Sequence, residues 1–219
     1  MNRKAVVLLC VLLAAHLYSV RIGYSDPPFE GDNVDGVVGF TPVGNETYVA
    51  FFVSFGSEHA LSGIRWYSSD GAVVFPKVLI APGYEDGPGA ITEAIVVGTN
   101  VACATLDWTD LEFEQPIASS HAGLHVILQL PVGSEFQEEG FGGGVGFGYQ
   151  RGETGVSGWI TADGEDWIGL KEGSRFAVQI SLVAVEPGMV LMSPVRGRSG
   201  SDPGVPPELE TAGVIAAPN

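Results

Sequence analysis

The sequence predicts an all-β fold: an antiparallel, jelly-roll-like β-sandwich, preceded by an N-terminal signal peptide and followed by a disordered C-terminal tail. Three observations carry this expectation. Apolar residues between Val37 and Val185 alternate with period two, not 3.6. Turn-forming dipeptides separate the alternating runs, and no run has the spacing of an amphipathic helix. No repeat of about 20–50 residues occurs, which argues against a propeller or solenoid.

The strand ladder can be followed along the chain. "YVAFFVSF" sets Val49, Phe51, Val53 and Phe55 on one face, and "LHVILQLP" does the same with Leu124, Val126, Leu128 and Leu130. In "RFAVQISLVAV", Phe176, Val178, Ile180 and Leu182 alternate with Ala177, Gln179 and Ser181. Such runs suit strands of antiparallel sheets with one face buried. Shorter runs, among them "GIRWYS", "VVFPKVLIA" and "SGWIT", fill the intervals. Turns are expected at Asp70-Gly71, Asp86-Gly87, Asp163-Gly164 and Glu172-Gly173. About ten short strands in this order favour two packed sheets.

The two ends differ from the middle. Arg3 and Lys4 precede an apolar run, Ala5 to Ala15, too short for a typical membrane span. Residues 1–25 therefore read as a signal peptide, with cleavage after Ser25 favoured and Ser19 as the other candidate. Residues 26–36 form an acidic lead-in and 37–186 the sandwich. Residues 187–219, with six of the fourteen prolines, read as a Pro/Gly-rich linker or tail. These ends place the protein outside the cell, secreted or on the surface, with no membrane span after cleavage.

Charge narrows the partners. The chain carries 26 acidic and 10 basic residues, and removal of residues 1–25 leaves seven basic residues against the same 26 acids. Phosphate backbones are repelled by such a surface, so nucleic acid is not expected as a partner. Cys103 is the one cysteine left after cleavage, so no internal disulfide framework is expected; its apolar strand suggests a buried small side chain.

Several short motifs bear on chemistry. "GFGGGVGFGYQRG", Gly140 to Gly152, holds seven glycines in thirteen residues. It lacks the spacing of a dinucleotide fingerprint, the lysine of a phosphate loop and a following helix. It reads instead as a strand, with Val145, Phe147 and Tyr149 on one side and Gly144, Gly146 and Gly148 on the other, the bare side inviting close approach by another group. His121 and His125 would stand roughly 13 Å apart on a strand, too far to share a zinc ion. Glu112 and Glu114 share a strand face, as a glycosidase pair would, and as a solvated face would. Asp32 and Asp35 near Gly36, and Glu85 with Asp86, offer hard oxygen ligands on glycine-bearing loops, so a structural calcium ion is an expectation; no other cofactor is. Trp66, Tyr67, Trp108, Trp159 and Trp167 sit on or beside strands, and Trp66, Tyr67, Trp159 and Trp167 are the favoured candidates for stacking a sugar ring, with core packing as the alternative.

"SGWITADGEDWIGL" followed by "SRFAVQISLVAV", and "ALSGIRWYSSDGAVVFPKVLIAPGYEDGPG" before them, resemble the strands of accessory jelly-roll modules in large secreted bacterial proteins. The final "IAAPN" resembles the entry to C-terminal sorting domains of such proteins. The resemblance spans roughly residues 43–185 and implies a binding, spacing or adhesive role without catalytic residues. The expected function is a secreted, non-catalytic module with a structural or adhesive role at the cell surface, its partners polysaccharides or other surface proteins. A carbohydrate-binding module is the alternative, and a glycoside hydrolase the second alternative.

Overall fold

Alternation of apolar and polar residues lets each run bury one face, and pairing of the runs satisfies their backbone groups. The computed structural model describes residues 20–23, 34–68, 73–84, 87–120, 123–133, 144–151, 158–170 and 174–192. Their strands, in chain order, are β1 (Val20–Gly23), β2 (Gly36–Phe40), β3 (Tyr48–Ser54), β4 (His59–Ser68), β5 (Val74–Tyr84), β6 (Gly87–Pro88), β7 (Ile95–Ala102) and β8 (Asp107–Ser119). Then come β9 (Gly123–Gln129), β10 (Val145–Arg151), β11 (Gly158–Thr161), β12 (Ile168–Gly169), β13 (Ser174–Phe176), β14 (Val178–Ala184) and β15 (Val190–Met192). A single 3-10 turn, Ile91–Glu93, is the one helical piece among the described residues.

Two sheets form. In the larger, β4 lies between β14 and β8, with β1 beyond β14 and β15 beyond β8. Strand β10 joins it where Phe147 meets Ser68, and carries β2 and β13. The smaller sheet runs β12-β11-β3-β9-β5-β6, with β7 also on β5. The expected two-layer all-β architecture is present.

The core lies between the layers. Val49, Phe51 and Val53 of β3 and Leu124, Val126 and Leu128 of β9 face Ile64, Trp66, Val178, Ile180 and Phe147 of the larger sheet. Phe40, Phe51, Phe75, Phe147 and Phe176 form a ring cluster, their neighbouring centroids 4.6–6.0 Å apart and tilted or edge-on. Each fully buried ring contributes about 1.5–3 kcal/mol through the water it excludes.

Three features depart from the sequence expectations. Strand β15 pairs parallel to β8, Val190 opposite Ile117, so the sheet is mixed and the sandwich continues past residue 186 to Met192. Strand β1 pairs with β14, Val20 opposite Leu182, within the stretch assigned to the signal peptide. Cleavage after Ser19 would keep this strand, and cleavage after Ser25 would remove it. Third, all seven residues of β9 are buried, so its second face is not solvated.

A layer over the smaller sheet explains this last point. Tyr48, Ala50, Leu79, Ala81, Ile127 and Trp159 form a second apolar cluster on its outer face, with Phe52, Ile91, Ala94 and Trp167 packed around it. The loop leading into β7 folds over this face and is tied there: Ile91 N–H donates to Gly164 O at 3.2 Å, and Trp167 Nε1–H to Gly89 O at 3.2 Å.

The glycine-rich run behaves as a strand where it is described. Val145, Phe147 and Tyr149 are buried. A Cβ at Gly148 would stand 2.8 Å from the Tyr67 ring and 2.9 Å from Val34, so at Gly148 the bare face is filled by the protein's own side chains, and at Gly144 the Phe40 backbone comes as close. Gly140 to Gly143 and Gly152 lie outside the described residues. Among the described residues no helix is long and apolar enough to cross a membrane.

Candidate functional site: the outer face of the larger sheet

Alternation in "GIRWYS" sends Ile64 and Trp66 inward, which leaves Arg65 and Tyr67 on the outer face. The facing run "DWTDLEFE" does the same with Trp108, Asp110, Glu112 and Glu114. Strand register then aligns them: Tyr67 opposite Trp108, Arg65 opposite Asp110, and Gly63 opposite Glu112. On the other side of β4, Gln179 stands opposite Arg65. One short patch therefore collects a guanidinium, an amide, two aromatic rings and a row of carboxylates.

The patch is held in place from within. Arg65 Nε–H donates to Gln179 Oε1 at 2.6 Å, and its guanidinium carbon lies 4.4 Å from the centre of the Trp108 ring. Such stacking is worth about 0.5–2 kcal/mol, depending on solvent exposure. Tyr67 meets Trp108 edge-on, 6.0 Å between centroids, and backs onto Gly148. Trp108 and Gln179 are buried by these neighbours, while Arg65 and Tyr67 are half-exposed and Asp107, Asp110, Glu112 and Glu114 are exposed. A planar fork of donors, an amide and an aromatic surface, all pre-positioned, suit a ligand with many hydroxyls and an apolar ring face.

The sequence-predicted residues divide. Tyr67 belongs to this patch. Trp66 does not: it is 1% exposed and packs edge-on against Phe75 in the core, where no ring face is open to a sugar. Trp159, 4% exposed, lies on the smaller sheet with its ring against His125 at 5.0 Å. Trp167 is half-buried on that same face, so Trp159 and Trp167 are neighbours but largely serve to cover the sheet. Both placements have one cause, since large aromatic surfaces are the most rewarding to bury. Arg65 and Gln179 were not singled out as binding residues from sequence, and Trp108 stood there only among the strand aromatics, outside the favoured set. The signal available was the facing alternation of "GIRWYS" and "DWTD", which becomes readable only once the two strands are known to pair.

The calcium expectation rests mainly on Asp32, Glu85 and Asp86, which lie outside the described residues. Asp35 is exposed, and its N–H donates to Tyr149 O at 2.9 Å. Among the described residues no group of three or more His, Cys, Asp or Glu is placed to hold a metal ion. The acidic turn at Asp163 is occupied by its own loop: Asp163 Oδ1 accepts from Thr161 Oγ1–H at 2.8 Å and from the N–H groups of Glu165 and Asp166 at 2.9 Å. The backbone bonds from Asp166 and Glu165, then the Thr161 hydroxyl, hold its carboxyl below the usual range. Tyr48, pushed up to about 12 by burial and by its bond to Glu46, is likewise a structural group.

His125 is the most unusual titratable side chain. It is fully buried between Phe52 and Trp159, and neither ring nitrogen has a hydrogen-bond partner among the described residues. Burial lowers its pKa to about 3, so the ring is neutral at ordinary pH. Its neighbour in the sequence expectation, His121, lies outside the described residues.

No family model matches this chain, and no curated protein does. Two solved structures are similar. One contains the cysteine protease and lectin-like domains of Cwp84, a surface layer associated protein of Clostridium difficile: TM-score 0.49, 9% identity, over 64% of this chain and 33% of that one. The other is a variant of the clostridial cysteine protease Cwp84 after propeptide cleavage: TM-score 0.48, 10% identity, over 76% of this chain and 40% of that one. This chain thus spans well under half the length of either, and the likeness is a remote one of fold alone.

Proposed function

We propose that this chain is an extracellular, non-catalytic β-sandwich module that binds polysaccharide on the outer face of its larger sheet. The observation that carries the reading is the patch of Arg65, Tyr67, Trp108 and Gln179, ordered by its own stacking and hydrogen bonding before any ligand arrives. Pre-ordering lowers the entropy lost on binding. A sugar hydroxyl pair meets the guanidinium fork and the neighbouring Asp110 carboxylate, while the ring's apolar face rests on Tyr67. The leader-like residues 1–25 and the strongly acidic composition support a place outside the cell. The exposure of Glu112 and Glu114 on an open strand face supports binding over hydrolysis, because an acid–base pair works in a water-excluded cleft.

Titration with a panel of polysaccharides, followed by tryptophan fluorescence, tests the reading. Trp108 lies within the patch, so a bound glycan is expected to shift the emission, and the shift is expected to disappear in Trp108→Phe. Absence of a shift with every polysaccharide would leave the adhesive or spacing role without a sugar ligand. That second reading is favoured by the exposed apolar residues along the edge of the smaller sheet.

A further inference from the structure

Strand β7 pairs with β5 along one edge, and among the described residues no strand pairs with its other edge. Sheet edges are ordinarily protected by lysine, proline or charge. The β7 sequence, "IVVGTNVA", has none of these, and Ile95 and Val96 are 37% and 48% exposed. The register of β7 on β5 shifts between Val96 and Gly98, so Val97 is set out of step, while Ile95–Val96 and the stretch from Gly98 to Ala102 stay paired around the left-handed Asn100. At Gly98 the strand comes close to the opposite sheet, since a Cβ there would stand 3.0 Å from Leu111. Beside it runs a groove of about 420 Å³, whose walls include Val97, Phe113, Ile117 and Val190, with Glu114 also among its lining residues.

We propose that this edge and groove take up one extended, lysine- or arginine-bearing segment of another protein, added to β7 as a further strand. Unpaired backbone groups on β7 supply the hydrogen bonds, and alternate apolar side chains of the incoming strand enter the groove. Charge selects the partner. Glu114 lines the site, Glu112 is exposed on the same strand face, and the chain as a whole carries a net −16. A second copy of this chain meets repulsion there, whereas a basic strand meets attraction.

The test uses the full chain and a labelled eight-residue peptide of alternating valine and lysine, with binding followed by fluorescence anisotropy. Saturable binding is expected, at least tenfold tighter than that of the valine–glutamate counterpart. It is expected to weaken at least tenfold for versions of the peptide N-methylated on alternate backbone nitrogens, which keep the charge but lose the pairing. Glu114→Lys and Val96→Lys are expected to weaken it similarly. Both positions are exposed, and an unchanged melting temperature checks that each variant is folded. Equal binding by the N-methylated peptides would reduce the effect to charge alone and overturn the proposal. Undiminished binding by both variants would place the peptide elsewhere, and a stable dimer of the chain in sedimentation would assign the edge to a second copy. Either result also overturns it.

Discussion

His125 shows how much a single buried side chain can decide. The neutral ring is accommodated between Phe52 and Trp159, but a protonated one would have no described partner there. In the unfolded chain a histidine takes up a proton below about pH 6.5, whereas the folded protein holds it neutral down to about 3. The unfolded state therefore binds more protons across that window, so stability is complete above about pH 6.5 and falls as the pH drops towards 3. The slope from this one group is roughly 1 kcal/mol per pH unit. His125→Phe is expected to flatten the decline in urea-unfolding free energy between pH 6.5 and 4.5. Parallel declines in the two proteins would show that His125 is not responsible. Asp163, whose carboxyl is held below its usual range, acts in a separate and more acidic window.

The same scale contains the answer to what lies against the glycine strand. Gly148→Ala would drive a methyl into the Tyr67 ring and Val34, and is expected to cost about 1–3 kcal/mol. Thermal unfolding of that variant checks it; an unchanged melting temperature would mean that Tyr67 is free to move. Alternation alone predicted that Val145, Phe147 and Tyr149 share a face, because period two is a local property. Which ring fills the opposite face depends on Tyr67, far away in the chain, and no local pattern carries that information.

Among the elements, β3, β4, β9 and β14 were legible because each alternates over enough residues to define a face, whereas β8 showed its alternation only around Glu112 and Glu114. Strand β15 was not. Its three residues follow Pro187 and Gly188 in a segment whose composition reads as a linker, and their strand character comes from pairing with Ile117, Ala118 and Ser119. A chain ending at Glu186 is expected to melt several degrees below one ending at Met192, since loss of Met192 and of the β8 pairing uncovers part of the core. Equal melting temperatures would show β15 to be dispensable. Strand β9 also differed from expectation, since its second face is covered by a loop and two tryptophans whose placement depends on the fold of residues 87–94.

Considered as a whole, the described part of the molecule buries aromatic rings in three places: between the sheets, over the smaller sheet, and in the outer patch. Trp66 and Trp159 looked alike with Tyr67 in the sequence because residue type does not reveal exposure. The structure separates them, and only the patch on the larger sheet joins an aromatic surface to Arg65, Gln179 and Asp110. Its polysaccharide affinity is best measured by calorimetric titration of the intact chain beside Arg65→Ala and Arg65→Lys. Saturable binding by the wild type is expected, with at least a tenfold loss in both variants, about 1.4 kcal/mol, because lysine keeps the charge but lacks the planar fork. Wild-type affinity in both folded variants, or no saturable binding by any polysaccharide, would contradict a binding site on this face.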